Sequence, residues 1–363
     1  MGLTTAQQRA LTRLRSSGAS DLGVGLDNSR LTYLLAVIAR DLGYMDAFPE
    51  LPIDVPELYD RIPSDSLSLE GPRFVPLYER LLKVEANADT YLYCLGSLFK
   101  ARLKYERILQ AQPVPTVEQV GPRSLLQFGQ IEPGPLAAFL FWRKWIYDID
   151  NRAGQETGYL FEPIVAQAIG GVPYGARNSP IRRGGKGKGR QVDCVHERED
   201  ELIAYELKLR VTIAASGQGR WGEELSFPRD CRASGYKPIL IVFDDTENDK
   251  LSALQGEFLN EGGEAYVGPA AWAHLEGEAG ATMTEFLEKY VRRPINEILR
   301  NAPSRLPSIT FSMDGDELRV TIDGDQLRVE RAAAEDAVAT DLFDEAEAEA
   351  QQLPDDVDEA TDV

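Results

Sequence analysis

The sequence predicts an α/β protein: a mixed β-sheet core flanked by helices, preceded by a helical N-terminal region and followed by a small C-terminal β-meander. Three observations predict it. From residue 151 onward, helix-type and strand-type apolar patterning alternate in the order β-β-α-β-α-β. Within that region Pro238-Ile-Leu-Ile-Val-Phe is a continuous apolar run, as in a strand buried on both faces. Residues 309–311, 318–322 and 327–331 alternate in polarity and are split by Asp314-Gly315 and Asp323-Gly324, two tight-turn signals.

The elements follow in order. Residues 1–150 form the helical region. Asp27-Asn28-Ser29 caps a helix whose apolar run is residues 31–38. Helical periodicity covers 74–109 and, after a Pro-Gly-Pro start, 136–149; proline-bearing connectors at 48–56 and 112–122 separate these pieces. This region holds no catalytic constellation, and Arg9, Arg13 and Arg15 fit a solvated helix face better than a DNA contact. Residues 151–300 form the core. A helix over 156–169 ends at Gly170-Gly171, with Phe161, Ile164, Val165 and Ala168 as its apolar stripe and Glu162 beside it. A glycine-rich basic loop, two strands and a Gly-rich segment at 216–222 come next. Then follow a helical piece at 223–234, the buried strand, a helix at 251–259, a short strand at 265–267 and a helix at 283–299 broken near Pro294. Residues 301–331 form the meander, and 332–363 an acidic, disordered tail.

Bulk properties bound the function. The 363 residues suit two domains, or one with an appendage. The longest apolar run, residues 136–142, is far below the ~20 needed to cross a bilayer. The first residues show no apolar signal segment, and Cys94, Cys194 and Cys231 have neither disulfide-framework nor zinc spacing, so a reduced, cytoplasmic protein is expected. The net charge of −20 argues against a nucleic-acid partner until its distribution is considered. From residue 335 to the end there are twelve acids and no Lys or Arg, which leaves −8 for everything before. Arg177, Arg182, Arg183, Lys186, Lys188 and Arg190 form a local basic loop, and no acid occurs between Glu162 and Asp193. Local field steers a polyanion more than net charge does.

That loop runs into the chemistry. Asp193 lies on one predicted strand; Glu206 and Lys208 lie two apart on the next, and so share a face. Two carboxylates and an ammonium suit a metal ion and a nucleophilic water. Mg²⁺ is a hard cation that takes oxygen ligands, which makes Asp193 and Glu206 its ligands, the Leu207 carbonyl a third, and Glu162 a further one directly or through water. Lys208 would orient the water and offset developing negative charge. The competing account is a surface ion pair on a solvated strand. The apolar flanks (Val192, Val195, Ile203, Leu207, Leu209), the basic loop and the Glu162 helix favour the site.

Around the site, Arg182, Arg183, Lys186 and Lys188 fit phosphate contacts, which position without reading sequence. Gln218 and Arg220 sit on the glycine-flanked segment; Gln can pair with adenine and Arg with guanine in the major groove, although a plain loop anchored by Trp221 explains the segment equally well. His196 and His274 are isolated, and His196 fits a solvent-exposed turn.

The chain resembles the PD-(D/E)xK nuclease superfamily, with Asp193, Glu206 and Lys208 on its core motif and Glu162 on its helix acid; Val192-Asp193 stands where that motif has Pro-Asp. More narrowly, residues 150–295 resemble the ApaLI-like type II restriction endonucleases. The stretches that carry this are Gly158-Tyr-Leu-Phe-Glu-Pro-Ile-Val, Ser179-Pro-Ile-Arg-Arg, Gly189-Arg-Gln-Val-Asp, Tyr205-Glu-Leu-Lys-Leu-Arg-Val and Ser216-Gly-Gln-Gly-Arg-Trp-Gly-Glu-Glu. The resemblance implies a restriction-endonuclease-like fold and Mg²⁺-dependent cleavage of double-stranded DNA at a short sequence by a homodimer. A structure-selective or repair nuclease would use the same four residues without a base-reading loop. A non-catalytic DNA-binding or interaction protein would show no Mg²⁺-dependent cleavage.

Overall fold

The computed structural model describes residues 2–17, 23–198, 201–209, 218–305 and 307–332, without the side chains of Tyr159 and residues 218–220. The acidic tail and the Ser216-Gly217 part of the glycine-flanked segment lie outside the described residues.

Helices α1 (Thr5–Arg15), α2 (Asn28–Asp41), α3 (Phe74–Val84), α4 (Ala88–Ala111) and α5 (Val117–Val120) precede a long α6 (Pro133–Ala168). The Asp27 side chain accepts the Arg30 N–H and starts α2, whose residues from Leu31 to Ala39 are all buried. The helices expected at 136–149 and 156–169 are one: α6 runs 36 residues through the position where the N-terminal region was expected to end. Nothing between 149 and 156 stops a helix: no proline falls there, and the lone Gly154 costs only ~1 kcal/mol. Pro163 lies inside the continuous helix.

The core sheet has the order β1 (Val172–Tyr174), β2 (Val192–Arg198), β3 (Glu201–Lys208), β4 (Lys237–Val242), β5 (Glu264–Val267). β1, β2 and β3 are antiparallel neighbours, whereas β3, β4 and β5 run parallel. Parallel neighbours need crossovers. Helix α7 (Gln218–Ala233) joins β3 to β4, and α8 (Asp249–Asn260) joins β4 to β5. The apolar run of β4 is explained by its two covers. Ile239 and Ile241 enter one core with Cys194, Ile203, Tyr205 and Leu207, while Leu240 and Val242 enter another with Phe227, Cys231, Leu254 and Phe258 of α7 and α8. The first core also contains α2, α4 and the C-terminal half of α6, so the helical region and the sheet share one apolar interior.

Helix α9 (Pro269–Leu287) continues through a π-helical turn (Glu288–Arg292) into α10 (Arg293–Arg300). The break expected near Pro294 is therefore a widened turn just before it. Strands β6 (Ile309–Asp314), β7 (Glu317–Ile322) and β8 (Asp325–Glu330) form the antiparallel meander. Asp323 (φ 46°) and Gly324 (φ 101°) both have positive φ, as a tight two-residue hairpin turn demands. Leu318 and Val320 of β7 pack on Ile108, Trp145 and Ile149, so the meander rests on α4 and α6. No helix among the described residues is long and apolar enough to cross a membrane.

Candidate active site

Asp193, Glu206 and Lys208 converge where β2 and β3 part. The β2–β3 ladder runs from Arg198↔Glu201 to Cys194↔Tyr205. At the next position the Leu207 N–H is taken by the Asp193 side chain, whose Oδ2 accepts it at 2.8 Å. One carboxylate oxygen is thus fixed by the backbone of β3. Lys208 Nζ lies 3.1 Å from Glu206 Oε1, on the shared strand face.

The electrostatics are strained in a useful direction. Burial, then the charges of Glu206 and Glu162, hold the Asp193 carboxyl well above the usual carboxylate range; the Leu207 N–H and Lys208 pull it only partly back. Burial works against the Lys208 ammonium, yet Glu206, Glu224 and Asp193 raise it above the ordinary lysine value, so it stays charged. Glu162, on α6, is thereby within electrostatic reach of Asp193. Repelling carboxylates that one ammonium does not neutralise suit a divalent cation, and oxygen donors suit a hard one. Among the described residues no three or more Asp, Glu, His or Cys side chains form a closed metal cage, so such an ion would complete its shell with backbone oxygen and water.

The basic loop separates into two kinds of cation. Arg177, Arg182, Arg183, Lys186 and Lys188 are exposed. Arg190, expected to touch DNA, is buried instead: its Nη1 meets Asp230 Oδ2 at 2.8 Å and Ser226 Oγ at 3.0 Å, its Nη2 donates to the Glu223 carbonyl, and its guanidinium lies 5.1 Å from the centre of the Phe227 ring. The other Asp230 oxygen accepts the Gly184 N–H at 2.8 Å. Arg190 is a strut that fastens the loop to α7. The loop closes on itself through pairing of Arg182 with Gly189. A Cβ at Gly189 would meet the Ala176 carbonyl oxygen at 1.9 Å, so glycine is required there.

Gln218 and Arg220, expected on a flexible loop, lie in the first turn of α7. Sequence reasoning missed Glu224, whose Oε1 is 3.4 Å from Lys208 Nζ. The signal was present: Glu224, Phe227 and Cys231 stand at i, i+3 and i+7, so the stripe that buries Phe227 and Cys231 against the sheet carries Glu224 to it. The neighbouring stripe, Glu223, Ser226 and Asp230, faces the basic loop. The histidines are not isolated. His196 lies within β2, with Nε2 3.7 Å from Glu278, because the strand extends past the turn expected there. His274 Nε2 is 3.1 Å from the Tyr205 hydroxyl, and its ring stacks 4.2 Å from that of Tyr266.

A helix carboxylate, a strand aspartate and a Glu-x-Lys strand thus lie beside exposed cations. The sequence profile of the ApaLI-like restriction endonuclease family matches residues 68–292. The type II restriction enzyme ApaLI of Acetobacter pasteurianus is 45% identical across 95% of this chain and 98% of that protein. No solved structure matches. With the profile covering more than half of its length, the chain belongs to the ApaLI-like restriction endonuclease family.

Proposed function

We propose that this type II restriction endonuclease cuts double-stranded DNA at the centre formed by Asp193, Glu206 and Lys208, with Glu162 completing it. The observation that carries this reading is the placement of Lys208 and Glu206 together on β3, next to an Asp193 carboxylate held above its usual range. A restriction endonuclease of this family hydrolyses DNA phosphodiester bonds and calls for a divalent cation. We assign that cation as Mg²⁺, held by Asp193, Glu206 and the Leu207 carbonyl, with Glu162 reaching it through water.

When bound, the cation would supply positive charge at the scissile phosphate and a water of lowered pKa. The chain's own residues do the rest. Asp193, with Oδ2 fixed by the Leu207 N–H, presents a carboxylate that does not have to be oriented at the moment of reaction. Lys208 donates to the attacking water and to the phosphate oxygens as negative charge builds. Arg177, Arg182, Arg183, Lys186 and Lys188 hold backbone phosphates. Gln218 and Arg220, at the start of α7, are the proposed base readers. A homodimer would cut both strands, and the buried free thiols of Cys94, Cys194 and Cys231 suit a reducing cytoplasm.

The test is digestion of a sequenced plasmid by the wild type and Lys208→Ala. Discrete Mg²⁺-dependent fragments from the wild type, and none from a variant that still binds the plasmid, are expected. Full cleavage by Lys208→Ala would remove Lys208 from the mechanism.

A further inference from the structure

We propose that Glu224 is a positioning residue for the cleavage reaction: it anchors the Lys208 ammonium once Glu206 has given its oxygens to a cation. This rests on the assignment of Glu206 and Lys208 made above. Lys208 Nζ stands between two carboxylates, 3.1 Å from Glu206 Oε1 and 3.4 Å from Glu224 Oε1. All three side chains are largely enclosed, at 16% exposure for Lys208, 17% for Glu206 and 20% for Glu224. An enclosed charge needs a partner. A divalent cation on the Glu206 carboxylate would draw off the negative charge that faces the ammonium and leave two positive charges side by side. Glu224 resolves that conflict. It comes from α7, not from β3, so it can hold the ammonium while Glu206 turns to the metal.

Helix α7 gives this anchor a second significance. Glu223, the adjacent residue, takes Arg183 at 2.8 Å, and its carbonyl takes Arg190. Ser226 and Asp230 take Arg190 as well, and Asp230 takes the Gly184 N–H. One helix therefore carries both the loop assigned to phosphate and the carboxylate that places Lys208. Pro228, four residues beyond Glu224, has no N–H for the Glu224 carbonyl, which removes one intrahelical bond at this turn.

The experiment compares Glu224→Ala, Glu224→Gln, Glu224→Asp and Lys208→Ala in the full chain. It measures single-turnover cleavage of plasmid DNA across a Mg²⁺ series, affinity for the same DNA without divalent cation, and Tm. Glu224→Ala and Glu224→Gln are expected to slow cleavage on the order of 10- to 100-fold, the scale of a small misplacement of a catalytic group. DNA affinity, Tm and the Mg²⁺ concentration for half-maximal rate should hold, and Glu224→Asp should recover part of the rate. A wild-type rate in Glu224→Ala would overturn the proposal. So would a loss restored by more Mg²⁺, which would make Glu224 a metal ligand, or a loss that tracks Tm. An active Lys208→Ala overturns the site assignment itself, whereas an inactive Lys208→Ala beside an active Glu224→Ala overturns only the role of Glu224.

Discussion

The Asp193 carboxylate stands in for a strand carbonyl, accepting the Leu207 N–H at 2.8 Å just past the last paired position of β2 and β3. The same side chain is the one whose charge burial and Glu206 most oppose. The backbone needs only an oxygen acceptor there, whereas the proposed metal site would need the negative charge.

Asp193→Asn separates those demands. The amide oxygen can still accept the Leu207 N–H, and removing a charge relieves repulsion with Glu206 and Glu162. Tm should therefore stay level or rise while cleavage falls by about 10²- to 10³-fold, the scale of losing a charge interaction made in the transition state. Asp193→Ala should lose cleavage and also stability, by roughly 1–3 kcal/mol for a buried N–H left without its partner. Thermal melts of the two variants beside plasmid digestion check this; a fully active Asp193→Asn would refute the charge requirement.

Arg190 and its neighbours on the loop should fail in different ways. Arg190 and Asp230 are 10% and 6% exposed and joined at 2.8 Å, so removing either leaves a buried charge and should cost about 3–5 kcal/mol. Arg182, Lys186 and Lys188 are exposed, and each alanine variant should leave Tm unchanged. Each cation that neutralises a phosphate in the wild type should, when removed, lower the slope of log K against log salt by about 0.9. Binding titrations over a salt series, set beside melting curves, distinguish strut from phosphate clamp.

Much of this was legible in the sequence because it depended on short-range periodicity. Glu206 and Lys208 share a face by the two-residue strand repeat, and the double burial of β4 is written in its unbroken apolar run. What was hidden depends on partners distant along the chain. Arg190 looks like its basic neighbours until Asp230, forty residues on, is brought to it. Glu224 looks like a surface acid until α7 crosses back over β3 to reach Lys208. The continuity of α6 through residue 150 was missed because Pro-Gly-Pro at 133–135 marks a helix start, while the end of that helix depends on packing of its far half against the sheet.

The docking of α2 against the π-helical turn supplies a stability prediction. The Asp41 side chain is 1% exposed and is met by Lys289 at 2.6 Å, Arg40 at 3.3 Å and the hydroxyls of Tyr91 and Tyr290. The widened turn places Lys289 and Tyr290, consecutive residues, on the same carboxylate. Asp41→Ala takes the acceptor from two hydroxyls and leaves Arg40 and Lys289 to Glu57, at 2.9 and 3.2 Å, and should cost about 1–3 kcal/mol. Chemical denaturation gives the figure. A change below about 1 kcal/mol would mean that the cluster contributes little to holding α2 on the core.

His274 predicts a pH limit. Burial pushes its imidazole below the ordinary value of 6.5, with Glu278 and Glu264 resisting and Arg198 and Lys237 adding to the depression. The sign follows from proton uptake. Between the lowered folded value and 6.5 the unfolded chain binds more protons at this residue than the folded chain, so stability rises with pH there. The contribution is fully present above 6.5 and is lost as pH falls through the folded value. Protonation would also add a second N–H to a ring that stacks on Tyr266 and meets the Tyr205 hydroxyl. Denaturation midpoints of the wild type should fall on acidification below 6.5, and those of His274→Gln, which has no proton to gain, should fall less over the same interval. Parallel curves for the two proteins would place the acid sensitivity elsewhere, in the carboxylates.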